Sequence, residues 1–513
     1  MVDCDCLIVG AGPVGLLLAA ELSRFKTSVR IIDFLAEPSK QTKATGIAAR
    51  SMEVLPPKVC DKVMAGSRHV KQANVKEAGV EKPILSLNLE TIANYHGMRA
   101  QEQWRTEQYL TEHLAELGVA VERGISLTSF DEVEGCVECK LTNSAGNVTV
   151  TRTKFLVGCD GGRSGVRKAL GFRFPGEATH ETFFALHASL QNFDLAGRDR
   201  MDVFYGENSG DNPLSRGFAF SMPLPGDDEF LITCDLDPEQ QERWLSDEVD
   251  HHGSRKLLQP TVEDVCAVLR ARGCGSEIQA RPGTVRWMTH FRVNSRQAPH
   301  YGRGRVYLAG DACHCHSPLG GQGMNAGFQD AKNLGWKIAA CANGWVTDYT
   351  SFLSTYEDER RSLEKLLLAV IERAQKMASA RNPFIHFLRG RGARLINLLT
   401  SVQAATAVQA KATSFIAQQG WSYKNGLCPS PSACLYAFTS SQSNTNKLRV
   451  TLPIPPHPRR CAHYRLTLAI WIFHRRPACH GALGASGHPA QFTRTGLVPP
   501  PPEPAQVCRL SVT

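Results

Sequence analysis

The feature that most constrains this chain is a glycine-rich turn within its first 35 residues. The apolar run Cys4–Val9 predicts a strand, Pro13–Arg24 predicts a helix, and Ser28–Asp33 predicts a second strand. The turn between the first strand and the helix, Gly10-Ala11-Gly12-Pro13-Val14-Gly15, has the pattern G-x-G-x-x-G. In such a unit the glycines permit a tight turn, a close approach of pyrophosphate to the backbone, and close helix–strand packing. The pattern predicts a parallel α/β sheet that binds a dinucleotide.

A carboxylate at the end of the second strand supports this interpretation. Asp33 stands 23 residues after Gly10, where an acidic side chain binds the ribose hydroxyls of a dinucleotide. The free N–H groups and the positive dipole end at the helix N-terminus attract the phosphates. The first cofactor-binding set is therefore Gly10, Gly12, Pro13, Val14, Gly15 and Asp33.

Two more glycine-rich turns follow predicted strands. The turn 158–165, with Asp160 and Gly161, follows the apolar run Phe155–Gly158; alone, it indicates a second nucleotide-binding turn or merely a tight connection. The turn Gly310-Asp311 follows the predicted strand Arg305–Ala309 and leads to 318–325, where another helix begins. A carboxylate beside a helix N-terminus suits a polyol followed by a ring that takes up negative charge.

In this order, the three turns resemble those of the FAD-dependent aromatic hydroxylases, the single-component (group A) flavoprotein monooxygenases with the para-hydroxybenzoate hydroxylase fold. The resemblance covers about residues 5–423 and is weakest in the middle. It implies that Asp160 and Gly161 serve both FAD and the incoming NADPH or NADH, without a separate nicotinamide domain. It also implies that Asp311 binds the ribityl chain. Backbone N–H groups at the flavin pyrimidine edge would come from Gly323, Met324 and Asn325.

The resemblance adds three residues to the cofactor site. Lys43 replaces the usual arginine near the pyrophosphate, which retains the charge but loses the bidentate fork. Gln103, with Thr106 and Glu107 after it, resembles the family's Q-x-x-T-E segment beside the cofactor. Pro318 opens the segment that leads to the flavin edge.

A few positions indicate the branch of the family. Simple phenol hydroxylases carry an Asp and a Tyr where this chain has Thr45 and Phe291. The run Trp287–Phe291, with Arg296 further on, instead resembles the hydroxylases of aromatic polyketides and bulky phenols.

The implied activity is hydroxylation of a phenolic or polyketide-type aromatic substrate in secondary metabolism. Nicotinamide would reduce the flavin, O2 would add at C4a, and the hydroperoxide would deliver one oxygen atom to the ring. His290 is a weak candidate for the catalytic base, which is otherwise unknown. Baeyer–Villiger insertion, epoxidation, and an inactive flavin-binding product of a damaged gene are the alternatives. A flavin halogenase is set aside because the W-x-W-x-x-P segment is missing.

The predicted fold is α/β, with a discontinuous Rossmann-like FAD-binding domain and an inserted mixed-sheet substrate domain. Residues 1–80, 100–174 and 283–345 are assigned to the first, and 81–99 and 175–282 to the second. A helical C-terminal segment follows over 346–423. Residues 424–513 hold 13 of the 28 prolines and ten Lys and Arg against one acid, Glu503. We expect a disordered basic tail there, or a stretch that was never selected as protein.

The charge distribution indicates which binding partners to expect, and the cysteine content indicates the cellular compartment. The tail carries the whole formal net charge of +9, so the body is neutral and no nucleic-acid partner is expected. No apolar stretch approaches the roughly 20 residues needed to span a membrane. Seventeen cysteines without a signal peptide indicate the cytoplasm rather than a disulfide scaffold. We expect a small-molecule aromatic substrate, and a homodimer remains open.

Three tempting clusters receive plain interpretations. The run Cys313-His314-Cys315-His316 has metal-ligand residue types, but we expect a loop and no metal site, because adjacent side chains point apart. Cys136 and Cys139 are predicted to be ordinary strand residues rather than a redox pair. The charged run 357–361 is predicted to be a solvated helix face.

Overall fold

The structure is a computed structural model of the chain. It describes residues 2–378 except 42–43, 79–81, 91–96, 194–197, 207–216, 237–240, 243, 250–254, 259 and 318–320. The helix predicted beyond residue 378 and the basic tail 424–513 lie outside the described residues.

Eight helices lie in the described part of the chain. They are α1 (Pro13–Arg24), α2 (Ala49–Val54), α3 (Pro57–Gly66), α4 (Gln103–Glu116), α5 (Gly165–Ala169), α6 (Val262–Ala271), α7 (Gly323–Ala342) and α8 (Tyr349–Ala378). The helix predicted at 13–24 is confirmed as α1, the helix predicted to begin in 318–325 is α7, and α8 is the start of the helical segment predicted from residue 346.

The strands of the first 160 residues are β1 (Cys4–Val9), β2 (Val29–Asp33), β3 (Gly46–Ile47), β4 (Arg68–Val70), β5 (Gln72–Glu77), β6 (Leu85–Asn88), β7 (Met98–Ala100), β8 (Val121–Arg123), β9 (Ile125–Val133), β10 (Cys136–Asn143) and β11 (Val148–Gly158). The later strands are β12 (Gly176–Gln191), β13 (Arg200–Tyr205), β14 (Phe218–Pro223), β15 (Glu229–Leu236), β16 (Leu245–Val249), β17 (Arg255–Leu257), β18 (Gln279–Ala280), β19 (Trp287–Gln297), β20 (Gly302–Arg303), β21 (Val306–Leu308) and β22 (His314–Cys315).

The N-terminal sheet is mainly parallel. Its order is β20-β21-β11-β1-β2-β8, and the hairpin β9–β10 continues it antiparallel to β11. The strands β21, β11, β1, β2 and β8 run parallel to one another, whereas β20 pairs antiparallel with β21. The β1 side chains Cys6, Leu7 and Ile8 are fully buried, as expected for a parallel strand covered on both faces. The carboxyl ends of these strands therefore meet at one edge.

A second, nine-stranded sheet has the order β22-β19-β12-β15-β14-β13-β5-β6, with β18 paired to β12. Helix α6 packs on one face, where Phe184 and Leu186 share a buried cluster with Val265 and Leu269. The other face packs on the small sheet β3-β7-β4, and a short hairpin pairs β16 with β17. The predicted α/β class with an inserted mixed sheet is confirmed by this arrangement.

The sheets divide the chain differently from the predicted domain boundaries. Strand β5 pairs with β13, and β19 pairs with β12, so both belong to the mixed sheet. The predicted boundaries at 80/81 and 282/283 had assigned these segments to the FAD-binding domain. The difference arises because each strand joins the sheet through partners more than 100 residues away, which local patterning does not reveal.

The charged run 357–361 is not a solvated helix face, and that prediction is wrong. Glu359 and Arg360 are each only 2% exposed on α8. They face charges on α7, where Glu359 pairs with Lys337 at 2.8 Å and Arg360 pairs with Asp330 at 2.6 Å. Burial of charged side chains costs desolvation energy and is tolerated when each finds an opposite partner, and such pairing across helices is not visible in the local sequence.

The cysteines and helices of the described part agree with the sequence analysis. All its cysteines are free thiols. Cys136 and Cys139 lie in β10 as ordinary strand residues, which confirms their interpretation, and burial raises the pKa of the Cys139 thiol to about 12. Within the described ranges, no helix is both long and apolar enough to cross a membrane.

Candidate FAD and substrate site

Three turns meet at the carboxyl edge of the parallel sheet, as expected for neighbouring parallel strands. The turn after β1 lies beside the turn after β11, where the Cys159 N–H donates to the Val9 carbonyl at 2.7 Å. The turn after β11 lies beside the one after β21, where the Ala309 N–H donates to the Gly158 carbonyl at 3.0 Å. The three motifs, far apart in sequence, thus form one continuous site.

The first turn has the geometry that its glycines predict. Gly10 has φ of +106°, and a Cβ there would lie 2.4 Å from the Cys159 carbonyl oxygen. A Cβ on Gly15 would lie 2.0 Å from the Gly10 carbonyl oxygen. A Cβ on Gly12, in contrast, would meet no described atom within 4 Å. Gly10 and Gly15 therefore serve internal packing, whereas Gly12 faces open space.

Asp33 anchors this turn from the neighbouring strand. Its Oδ2 accepts a hydrogen bond from the Ala11 N–H at 2.7 Å, and its Oδ1 accepts one from the Leu35 N–H at 2.9 Å. Pro13 is the first residue of α1, and Val14 packs against Gly310 and against α7 at Gly327. The first and third turns are therefore in direct contact through Val14.

The second turn is built around the Asp160 carboxylate. Its Oδ2 accepts hydrogen bonds from the Gly165 N–H at 2.7 Å and the Val166 N–H at 3.1 Å, which caps the start of α5. Its Oδ1 is buried and has no hydrogen-bond partner among the described residues. Gly161 has φ of +78°, and a Cβ there would meet no described atom within 4 Å. The turn therefore offers a carboxylate oxygen and an open backbone position to a ligand.

Arg167 joins the second and third turns, and the sequence analysis did not identify it. The side chain is 4% exposed and donates to the Ala312 carbonyl at 3.0 Å and the Gly162 carbonyl at 2.9 Å. Burial lowers the pKa of this guanidinium below its ordinary value. The only signal in the sequence was a basic residue next to the apolar Val166, which is not specific.

The third turn and the start of α7 form the remaining wall. Asp311 is exposed at the turn, whereas Asn325 is fully buried. The Asn325 side chain donates to the Gly46 and Gly321 carbonyls at 2.9 and 2.7 Å and accepts from the Ala48 N–H at 2.9 Å. This amide therefore fixes β3 against the N-terminus of α7.

The other predicted cofactor residues lie around this wall. Gly323 is the first residue of α7, and Met324 beside it is 8% exposed. Gln103 begins α4 and donates to the Glu107 carboxylate at 2.8 Å. Lys43 and Pro318 lie outside the described residues.

These residues fit an FAD molecule. Elongated dinucleotides need backbone without side-chain cover, and Cβ atoms at Gly12, Gly161, Gly321 and Gly323 would meet no described atom within 4 Å. The unpartnered Asp160 Oδ1 and the exposed Asp311 carboxylate supply acceptors for hydroxyl groups along the same edge. The helices α1 and α7 both direct N-termini toward it, where negative charge is stabilised.

An aromatic face of the mixed sheet borders the α7 end of this site. We define it as Phe183, Phe218, Phe220 and Phe291. The Phe183 and Phe291 rings stack with centroids 5.7 Å apart. Gly46, which Asn325 contacts, would place a Cβ 2.7 Å from the Met98 sulfur, and Met98 packs in the same cluster as Phe291. The wall around Asn325 is therefore linked through Gly46 and Met98 to the cluster that contains Phe291.

Comparison with known proteins identifies the family. A family model described as FAD binding domain matches residues 3–370. The chain belongs to the FAD binding domain family. As predicted, it is an FAD-dependent monooxygenase of the aromatic hydroxylase type, on the polyketide branch.

Two relatives and one solved structure illustrate the likeness. The chain is 36% identical to the 12-dehydrotetracycline 5-monooxygenase/anhydrotetracycline 6-monooxygenase of Streptomyces rimosus, over 70% of this chain and 67% of that protein. It is 33% identical to the rifampicin monooxygenase of Streptomyces venezuelae, over 69% and 68%. The solved OxyS anhydrotetracycline hydroxylase of Streptomyces rimosus is 29% identical, covers 82% of this chain and 76% of its own, and superposes with a TM-score of 0.61.

His290, the weak candidate for the base, faces away from the aromatic face. It lies opposite Phe184 in the β12–β19 pairing, whereas Phe291 lies opposite Phe183. Directly opposed residues in an antiparallel pair share a face, and Phe184 belongs to the cluster under α6. His290 and Phe291 are neighbours in β19 and therefore lie on opposite faces of the sheet, and the assignment of a base stays a prediction.

The motif 313–316 brings together two histidines that are not adjacent in the sequence, which the expectation about adjacent side chains did not cover. The His314 and His316 rings stack with centroids 5.0 Å apart; His314 lies in β22, and His316 follows its last residue. With Glu364 they place potential ligand atoms within 4.8 Å of one another. The same groups also contact Arg360 and Asp330, so the cluster is a mixed charge network.

Proposed function

We propose that this FAD-dependent monooxygenase uses NADPH or NADH and O2 to hydroxylate a polycyclic phenol of the aromatic polyketide type. The observation that carries the proposal is the aromatic face, which borders the α7 end of the cofactor site. Stacked phenylalanines favour flat, extended rings over small polar ones. The names of the tetracycline and rifampicin monooxygenases support the same substrate class.

The cofactor residues would hold FAD along the sheet edge. Gly12 and the N-terminus of α1 would accept the pyrophosphate, with Lys43 supplying a positive charge. Asp33 would bind the adenosine ribose and Asp311 the ribityl chain. Gln103 would lie beside the cofactor, and Pro318 would lead the chain to the flavin edge.

When bound, FAD would be reduced by the nicotinamide and would transfer the oxygen atom to the substrate. The chain contributes binding, orientation and charge. The N–H groups at Gly323, Met324 and Asn325, with the positive end of the α7 dipole, would stabilise negative charge on the ring. The buried aromatic face would orient the substrate ring and exclude water from it.

The decisive experiment is stopped-flow NADPH and NADH oxidation by the purified protein with a panel of polyketides and simple phenols. We expect a polycyclic phenol to stimulate oxidation and to give a hydroxylated product. Ring-expanded esters or epoxides would instead support the Baeyer–Villiger or epoxidising alternatives. Protein that retains FAD without stimulation by any phenol contradicts the proposal and supports an inactive flavin-binding protein.

Phe291→Leu should raise the KM for the stimulating substrate by about three- to tenfold, because one aromatic stack is worth about 0.5–1.5 kcal/mol. Phe184→Leu is the matched control, since Phe184 lies on the same sheet but on the face under α6. It should leave the KM unchanged. Equal effects of the two variants on the KM would show that the aromatic face does not bind the substrate.

Asp160 variants separate charge from helix capping. Asp160→Ala removes the acceptor for the Gly165 and Val166 N–H groups as well as the charge, whereas Asp160→Asn retains an acceptor oxygen. We expect both variants to slow flavin reduction by NADPH, and only Asp160→Ala to lose a further 1 kcal/mol or so of stability. Reduction rates and flavin content equal to those of the wild type in both would contradict a role in cofactor handling.

The setting of the reaction follows from its co-substrates. We propose a cytoplasmic enzyme, because NADPH and NADH are supplied there. A homodimer is the oligomeric state that we expect, and light scattering of the flavin-loaded protein measures it.

A further inference from the structure

A buried carboxylate links the two elements that contact the flavin end of FAD. Asp330 lies on α7 and is fully buried. Its Oδ2 accepts a hydrogen bond from the Gly310 N–H at 3.1 Å and lies 2.7 Å from the His314 Nε2. Gly310 and His314 flank Asp311 in the ribityl-binding turn. The Asp330 side chain therefore contacts this turn both before and after the exposed Asp311 carboxylate.

Two residues on α8 complete the arrangement. The Arg360 Nε donates to the Asp330 Oδ1 at 2.6 Å. The Arg360 Nη2 donates to the Glu364 carboxylate at 2.6 Å and to the Ala326 carbonyl at 3.2 Å. The Glu364 Oε2 lies 3.2 Å from the His316 Nε2. We name these five residues the α7–α8 network: His314, His316, Asp330, Arg360 and Glu364.

The charges of the network fix its protonation. Two carboxylates face a single guanidinium, so one negative charge remains uncompensated in a fully buried place. A proton on His314 balances it. Burial alone would lower the pKa of His314, but the Glu364 and Asp330 carboxylates together raise it to about 9. Burial alone would raise the pKa of Asp330, but Arg360 and His314 lower it to about 2.

We propose that Asp330 is a positioning residue for FAD, which holds the Asp311 turn in register with the N-terminus of α7 through its contacts with Gly310 and His314. The inference rests on FAD binding at this turn. Rigid positioning of groups that touch a cofactor requires supporting contacts of this kind. The residue acts through Gly310 and His314 and does not itself contact the cofactor.

Asp330→Asn is the direct test, because an amide has one acceptor oxygen for the three donors that now surround the carboxylate. We expect the Kd for FAD, measured by quenching of flavin fluorescence on the apoprotein, to rise by about tenfold or more at pH 7.5. The matched control is Glu359→Gln, which breaks the buried pair with Lys337 on the same two helices but contacts neither Gly310 nor His314. Its Kd should equal that of the wild type.

The pH profile separates positioning from general stability. The groups facing His314 are Asp330 on α7 and Arg360 and Glu364 on α8, together with the rings of His316 and Tyr301 near the turn. Because the folded pKa of His314 is raised from 6.5 to about 9, its contribution is fully present below pH 6.5. That contribution is lost as the pH rises through 9. FAD affinity of the wild type should therefore weaken above pH 9, and this limb should move to lower pH in Asp330→Asn.

A second variant guards against misfolding of the first. His314→Gln retains a donor toward Asp330 but cannot be protonated, so it should bind FAD without the alkaline limb. Unchanged affinity and pH profiles in both variants overturn the inference, as does an equal loss of affinity in Glu359→Gln. If the wild type itself binds no FAD, the cofactor assignment falls and the inference falls with it.

Discussion

Gly10→Ala should strongly destabilise the FAD-binding sheet, whereas Gly12→Ala should leave its stability unchanged. A Cβ at residue 10 would lie 2.4 Å from the Cys159 carbonyl oxygen, on a backbone with φ of +106°. The backbone strain and the forced shift of the β11 turn together cost roughly 2–5 kcal/mol. That is a large part of the stability of an ordinary domain.

Gly12→Ala acts only on the ligand. Its Cβ meets no described atom within 4 Å, so the apoprotein should unfold at the same urea concentration as the wild type. The methyl group would stand where pyrophosphate approaches the backbone, and FAD affinity should fall by about tenfold or more, equivalent to about 1.4 kcal/mol. Urea unfolding and flavin fluorescence titration on the same three proteins measure both effects.

The contrast between the two variants is the critical result. If Gly12→Ala bound FAD as tightly as the wild type, the pyrophosphate would not lie at this turn. If Gly10→Ala retained the wild-type unfolding midpoint, the tight contact between the β1 and β11 turns would not be needed for folding. Either result would contradict the site derived from the motif.

The sequence predicted the parallel part of the fold well because its signals are local. The turn 10–15, Asp33 and the strand before them lie within 33 residues. The backbone of this turn requires glycine at fixed positions, so the motif can be recognised in the sequence. The mixed sheet was predicted only as a class. Its strands pair across long separations, as β5 does with β13, and no short pattern encodes such a register.

The sequence predicted the candidate ligand-binding residues that lie in motifs. It did not predict the residues on other elements that hold those motifs in place. Asp160 and Asp311 stand in glycine-rich turns that resemble a known family. Asp330 lies among apolar residues of α7, and its partner Arg360 lies in the run 357–361 that was predicted to be a solvated helix face. The available signal in the sequence was an acidic residue on an apolar helix face. Its role becomes clear only from the packing of α7 on α8, where Arg360 donates to Asp330.

Arg272→Met should destabilise the mixed sheet by about 3–5 kcal/mol, because it leaves a buried carboxylate without its cation. Arg272 is fully buried at the end of α6, and its guanidinium lies 2.9 Å from the Asp235 Oδ1. The same oxygen accepts the Phe218 N–H at 2.7 Å, and Arg272 also donates to the Phe218 carbonyl. The pair therefore ties α6 to β14 and β15 beside the aromatic face, and its loss should also weaken substrate binding.

Urea unfolding followed by tryptophan fluorescence measures this effect, since the buried Trp244 reports on the core under α6. Glu116→Gln is the control, because the Lys58–Glu116 pair has a similar separation of 2.7 Å but is exposed to solvent, and its unfolding curve should match the wild type. The double variant Arg272→Met with Asp235→Leu should recover part of the lost stability, because the unpaired charge is gone. A double variant less stable than Arg272→Met would show that the hydrogen bond donated by the Phe218 N–H to Asp235, rather than charge pairing, holds this end of the sheet.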